Sequence, residues 1–269
     1  MAKWVFLNNG FVEEEKALLH FRDLSFQRGY GVFDFFRLIE AEPLFLDDHL
    51  SRFYFSASEM RLLVTLKQNE IKDVIRQLIH KNGVPNTGIR ISLTGGYSDD
   101  GFSLGKPALI LSQHSFSLPE GKQNGIRLMS YPFQRQLSHV KTIDYLNAIW
   151  LQPLIKQTSA DDVLYHNNGF ITECPRSNFF LVTANGHIAT PPENVLKGVT
   201  RKKVIELARR EFTVEERSIH LQELATAQEA FITSTTKRLL PVAAIDKKVF
   251  TEQKISRQLL QRFNDLLGV

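Results

Sequence analysis

With 269 residues, 43% of them hydrophobic, the chain is long enough to bury one large core or two modest ones. Its net charge of +4 comes from 33 basic against 29 acidic residues. The excess lies in short clusters such as Arg201-Lys202-Lys203 and Arg209-Arg210, so composition gives no footing for a nucleic-acid partner. A single cysteine, Cys174, excludes an internal disulfide and a multi-cysteine zinc site, and it fits a reducing compartment, the cytoplasm by default. No apolar run approaches the roughly 18 residues of a membrane helix, so a soluble protein with no membrane partner is expected.

The pattern opens with a strand at Trp4–Leu7, a tight Asn8-Asn9-Gly10 turn and a returning strand from Phe11 and Val12. Helical spacing follows from Asp47 to Leu63, with Asp47 or Asp48 as N-cap and Leu50, Phe53, Tyr54, Ala57 and Met60 on one stripe. A second helix is predicted over Gln68–Lys81, closed by Asn82-Gly83. Strands at Gly88–Thr94 and Ala108–Ser112 flank a glycine-rich loop, Gly95 to Gly101. Residues 116–124, with Pro119 and Gly121, read as a linker between an N-terminal domain, 1–115, and a larger C-terminal domain, 125–269. The second domain begins with a strand at Ile126–Tyr131, then the Lys141 segment entering a helix through Ile155. Strands at Asp162–His166, Phe179–Val182 and Glu229–Thr233 and helices at Arg201–Glu211 and Ser256–Leu267 complete it. Strands and helices alternate without a βαβ rhythm, which points to an α+β fold.

No GxGxxG, P-loop, HExxH, CxxC or GxSxG element occurs, and the histidines do not pair at ligand spacing, so no metal is expected. What is left is a lysine, a carboxylate, an arginine and several hydroxyls. Each has an ordinary explanation when taken alone. Lys141, just ahead of helical pattern, reads as a surface lysine. Glu173, between two strand-like runs, reads as a turn carboxylate or a partner for Arg176. His49 and Arg52 stand i, i+3 on one helix, where a lone arginine is usually solvated. Gly198-Val199-Thr200 at a helix start could hold a phosphate through free backbone donors, or be simple capping.

Their order and local sequence together resemble the class IV, or fold-type IV, pyridoxal-phosphate enzymes across nearly the whole chain. That family comprises the branched-chain and D-amino-acid aminotransferases and the 4-amino-4-deoxychorismate lyases. The matching segments are Gly29–Asp34, His49–Arg52, Lys141, Thr172–Phe180, Leu196–Arg201, Thr233–Thr236 and Pro241-Val242. The resemblance implies a two-domain α+β fold with pyridoxal 5′-phosphate between the domains, a homodimer, and an amino acid and a 2-oxo acid as substrates. Lys141 matches the Schiff-base lysine, which must shed its proton to add to an aldehyde. Glu173 matches the carboxylate that pairs with the pyridinium nitrogen and sustains the ring as an electron sink. Arg52 matches the phosphate-binding arginine, with His49 in support. Val199, Thr200 and Thr235 match further phosphate donors, Leu196 a residue packed against the ring, and Tyr145 a neighbour of its phenolic oxygen.

For the substrate pocket the resemblance points to Phe33, Arg90 and Tyr97, with Phe33, Phe35 and Phe36 also readable as plain core. Gly95 and Tyr97 stand where D-amino-acid aminotransferases carry an arginine and a histidine for the substrate carboxylate, which argues against that specificity. Pro175 stands where the family has a small residue. Asp34 is similar to the acidic residue of the aminotransferases, so transamination is expected ahead of the lyase reaction. A cofactor-less homologue is a third reading, disfavoured because both Lys141 and Glu173 are present.

Overall fold

Residues 3–115 and 125–268 are described by a computed structural model; the expected linker at 116–124 falls outside the described residues. Contacts divide the chain into two units, Met1–Ser117 with Val140–Asp144, and Leu118–His139 with Tyr145–Val269. The sequence reading puts Lys141 with the second half of the chain, whereas its contacts place it in the first unit. The cause is main-chain pairing, described below.

The first unit runs β1 (Trp4–Leu7), β2 (Gly10–Glu13), α1 (Leu24–Arg28), β3 (Gly31–Ile39), β4 (Glu42–Pro43), α2 (Leu46–Glu59), α3 (Gln68–Asn82), β5 (Gly88–Thr94) and β6 (Leu109–His114). Its sheet has the order β2-β1-β6-β5-β3-β4, antiparallel throughout. Helix α2 lies on β3 and α3 on β1 and β6. The two helices share one core in which Phe36, Leu50, Phe53, Ile71, Ile75 and Ile91 are fully buried. Neither Asp47 nor Asp48 caps α2, as their position had suggested. The N-cap is Phe45, in the left-handed region, and both aspartates sit in the first turn, where their charge complements the positive end of the helix dipole. The helix also stops at Glu59, short of Leu63, because Arg61 turns to positive φ. Gly83 ends α3 at φ +62°.

The second unit contains β7 (Ile126–Pro132), α4 (Leu146–Trp150), α5 (Gln152–Gln157), β8 (Asp162–Asn167), β9 (Phe170–Ile171), β10 (Glu173–Cys174), β11 (Ser177–Val182) and β12 (Ile188–Thr190). Then come α6 (Val199–Ala208), β13 (Val214–Glu216), β14 (Glu229–Ser234), β15 (Arg238–Ile245), β16 (Lys248–Val249) and α7 (Lys254–Leu267). The strands form one mixed sheet, β13-β12-β11-β14-β15-β7-β8-β9, with β10 beside β11 and β16 beside β15. The single helix expected after Lys141 is two short ones. They divide at Leu151 with Pro153 in the first turn of α5, since proline inside a continuous helix would lack a donor and clash with the preceding turn. Helices α6 and α7 cover β14 and β15. Glu229, buried on β14, accepts the N–H groups of Ile255 and Ser256 at 2.8 and 2.9 Å and so closes the open start of α7.

The hairpin from β3 to β4 has a two-residue loop, Glu40-Ala41, with both φ angles positive at 49° and 69°, the pattern of a type I′ turn. Side chains resist that region at roughly 1–2 kcal/mol per residue, less what glycine would lose in the unfolded chain. Replacing the pair with Asn-Gly (Glu40→Asn, Ala41→Gly) is expected to stabilise the protein by about 1 kcal/mol, read as a raised urea midpoint at unchanged slope.

Candidate functional site

Strand β3 organises the first unit's chemistry through its two-residue period. Val32, Asp34, Phe36 and Leu38 alternate with Phe33, Phe35 and Arg37, and the first set joins the core beneath α2. A carboxylate is thereby set among apolar side chains, and α2 answers it with His49 and Arg52, one turn apart on its inner face. Arg52 grips Asp34 with two bonds, Nε to Oδ2 at 2.8 Å and Nη2 to Oδ1 at 2.9 Å. His49 Nδ1 lies 2.7 Å from Oδ1, and the Phe35 N–H donates to the same oxygen at 2.7 Å. The Nη1 group of Arg52 has no protein partner among the described residues.

Burial works to raise the Asp34 pKa, but the charges of Arg52 and His49 and the hydrogen bonds from both outweigh it, holding the carboxyl well below the usual range. An ionised carboxylate only accepts, so His49 Nδ1 must carry the hydrogen. Burial lowers the His49 pKa, as do the charges of Arg52 and Lys141, while Asp34 opposes them.

Lys141 reaches this unit by adding an edge to β3. The Phe33 N–H donates to the Lys141 carbonyl at 3.0 Å, the Ile143 N–H donates to the Gly31 carbonyl at 3.1 Å, and Val32 bridges Thr142. Gly31 suits this crowded position, because a Cβ there would stand 2.8 Å from the Leu93 carbonyl oxygen of β5 and 3.1 Å from the Ile143 side chain. Cross-strand partners share a face, so Lys141 falls on the side of Phe33, with its Nζ 4.5 Å from the ring centroid. The Arg90 guanidinium carbon lies 4.0 Å from the same centroid, and its Nε donates to Ser92 at 3.1 Å. Phe33, Arg90 and Lys141 are thus brought together. Tyr97 is not. Its ring packs on His20 and its hydroxyl accepts from Arg22 at 3.3 Å.

In the second unit, β10 and β11 form a hairpin turning at Pro175-Arg176, where proline suits the first turn position. Glu173 and Asn178 face each other across it and clamp one residue between them. Glu173 Oε2 accepts the Leu196 N–H at 2.8 Å, and Asn178 Nδ2 donates to the Leu196 carbonyl at 2.7 Å. Glu173 is buried, and its charge partner is Arg135, with Nε 2.9 Å from Oε1. The partner suggested by sequence, Arg176, is exposed at the hairpin turn. Arg135 is itself tied to the Ser138 carbonyl at 2.6 Å. Three residues beyond Leu196, α6 starts at Val199 with Gly198 as N-cap and no side-chain cap, leaving its first N–H groups open beside the Thr200 hydroxyl. A Cβ at Gly198 would lie 2.2 Å from Asn178 Oδ1, so only glycine fits this turn. Across the sheet from Asn178, the buried Thr233 hydroxyl has no partner among the described residues, and Thr235 follows in the turn after β14. Tyr145 sits half-buried at the N-cap of α4.

Sequence reasoning missed Arg135, Asn178 and Thr233. Asn178 lies within the matched stretch Thr172–Phe180 and was within reach of it; Arg135 sits in an aperiodic loop and is identified only by its partner. Among the described residues no group of three or more His, Cys, Asp or Glu side chains could hold a metal ion. No described helix is long and apolar enough to cross a membrane. A surface groove of about 680 Å³ in the first unit, between Pro43 and His80, is lined by none of these site residues.

The family model for amino-transferase class IV matches residues 31–245. A candidate branched-chain-amino-acid aminotransferase of Methanocaldococcus jannaschii is 31% identical over 97% of this chain and 96% of its own length. A D-alanine aminotransferase of Staphylococcus haemolyticus is 27% identical over 97% of this chain and 96% of its own. The crystal structure of a candidate 4-amino-4-deoxychorismate lyase of Legionella pneumophila superposes with a TM-score of 0.85 at 25% identity, covering 94% of this chain and 97% of that one.

The two buried ion pairs make separable predictions. Arg135→Leu strips Glu173 of its charge partner and is expected to cost about 3 kcal/mol in urea unfolding. Asp34, with its pKa lowered on folding, contributes stability above the unfolded carboxylate value, and that contribution fades as pH falls through the acid range. Asp34→Asn is expected to flatten the acid limb of a stability–pH curve; an unchanged limb would contradict the assignment.

Proposed function

We propose that this chain, an enzyme that belongs to the amino-transferase class IV family, binds pyridoxal phosphate through Lys141 and moves an amino group between an amino acid and a 2-oxo acid. The observation that carries this reading is the backbone fixed on both sides of Lys141. The β3 edge holds its carbonyl and the Ile143 N–H, and Ser56 Oγ lies 3.2 Å from its own N–H. An amine presented from a paired edge keeps one approach direction, as a nucleophile requires.

The donor chemistry fits the cofactor group by group: an amine for its aldehyde, a buried carboxylate for its ring nitrogen, and an uncapped helix start with hydroxyls for its phosphate. When bound, the cofactor supplies a carbonyl for the amine and a ring that takes up the electron pair left by the substrate's Cα proton. Glu173, held in place by Arg135 and the Leu196 N–H, would pair with the protonated ring nitrogen. Val199 and Thr200 offer two N–H groups and a hydroxyl to the phosphate, Thr235 a second hydroxyl, and Arg52 its Nη1 edge. Leu196, set by its clamp, excludes water from one side of the ring, and Tyr145 is assigned to the phenolic oxygen. Lys141 Nζ would accept the proton from the substrate Cα. Phe33 and Arg90 border the substrate, with an apolar wall and a cation for a carboxylate.

Its relatives carry three activities that share these first steps, and similarity to the Legionella protein supports a second reading, release of pyruvate from an aminodeoxychorismate. Asp34 favours transamination. A homodimer is proposed with it. Leu146, Ile149 and Trp150 stand together on α4 at 77%, 69% and 67% exposure, an apolar face beyond what a monomer usually shows.

Purified protein with added pyridoxal phosphate should absorb in the visible, and Lys141→Ala should abolish that band; a colourless wild type refutes the reading. Branched-chain L-amino acids and D-alanine, each with 2-oxoglutarate, should be tested against pyruvate release from aminodeoxychorismate. Turnover of the last alone would make the enzyme a lyase. Ile149→Asp with Trp150→Lys is expected to shift a dimer toward monomer in sedimentation.

A further inference from the structure

The geometry points to Asp34 as the positioning residue of the phosphate-binding arginine, a step that rests on the assignment of Arg52 to the phosphate. Free arginine presents five donors on a mobile stem and loses much entropy in choosing one pose. Here Asp34 takes Nε and Nη2 in the paired fork geometry, at 2.8 and 2.9 Å, which fixes the plane of the guanidinium and leaves the Nη1 edge for a ligand. Asp34 is itself immobile. It is fully buried on β3, and its Oδ1 is held by the Phe35 N–H and by His49 Nδ1 at 2.7 Å each. The chain of restraint runs from the strand backbone through a carboxylate to the cation.

This arrangement makes a prediction opposite in sign to simple electrostatics. Asp34 carries a negative charge beside a site proposed for a dianion, so removing that charge while preserving shape should tighten phosphate binding if charge alone mattered. If Asp34 positions Arg52, Asp34→Asn should weaken it. An amide can accept one bond from the guanidinium but cannot satisfy both of its nitrogens, and the freed side chain regains rotamers at the expense of the ligand contact.

The test titrates pyridoxal phosphate, and pyridoxal without the phosphate, into wild type, Asp34→Asn, Arg52→Lys and the double variant, following absorbance, with thermal unfolding to confirm folding. Expected are an approximately tenfold weaker affinity for pyridoxal phosphate in Asp34→Asn, no change for pyridoxal, and little further loss in the double variant than in Arg52→Lys. Tighter or equal binding of pyridoxal phosphate by folded Asp34→Asn overturns the proposal, and so does an equal loss for both compounds, which would mark general damage. Should Asp34→Asn fail to fold, Arg52→Lys decides. It keeps the charge but loses the fork, so near-normal affinity would favour charge over position. A wild type that takes up neither compound would instead refute the function proposed above.

Discussion

The pleat of β3 is the constraint on which the first unit's chemistry depends. Successive side chains must leave the strand on opposite faces, so Asp34 is sent beneath α2 while its neighbour Phe33 faces the other way, toward Lys141 and Arg90. A slip of one residue would exchange the two sets, burying aromatic rings where Arg52 expects a carboxylate. Register is held by seven pairs with β5 on one edge and by the Lys141 segment on the other. Lys141, the Phe33 ring and the Asp34 ion pair are therefore placed by a single alignment.

The second unit solves a similar problem through a backbone clamp. Leu196 has its N–H held by Glu173 and its carbonyl by Asn178, and those two residues are themselves paired across a hairpin. The turn into α6 cannot move without breaking both bonds, and Gly198 lets it pass over Asn178. In each unit one buried carboxylate has a guanidinium beside it, Arg52 for Asp34 and Arg135 for Glu173. Ion pairs of this kind are costly to desolvate and strongly destabilising to break, so they serve specificity of geometry better than stability.

Much of this was legible in the sequence. Helical spacing placed α2 and α3, and the joint occurrence of Lys141, Glu173, Arg52 and Thr200 pointed to the family that the comparisons then established. What was hidden was hidden for physical reasons. Strand β15 carries Pro241 at a paired position, which reads as a breaker. The αL residues Phe45 and Arg61 moved both ends of α2, since no residue type announces them. Arg135 and Asn178 bond across separations in the chain that leave no local periodicity. The family resemblance put Tyr97 with the pocket, yet its side chain turns back to His20 and Arg22.

The chain order around Lys141 bears on how the protein is made. The first unit's own strands are complete by His114, but the edge of β3 between Gly31 and Asp34 is paired only by residues from 140 onward, after β7 has left for the other sheet. During synthesis that edge must wait, unpaired, while the intervening segment emerges from the ribosome. Unpaired edges recruit other strands, and pairings between distant residues form late. Gly31 and the acidic Asp34 at this position make a poor template for a foreign strand, which keeps the edge open for the Lys141 segment.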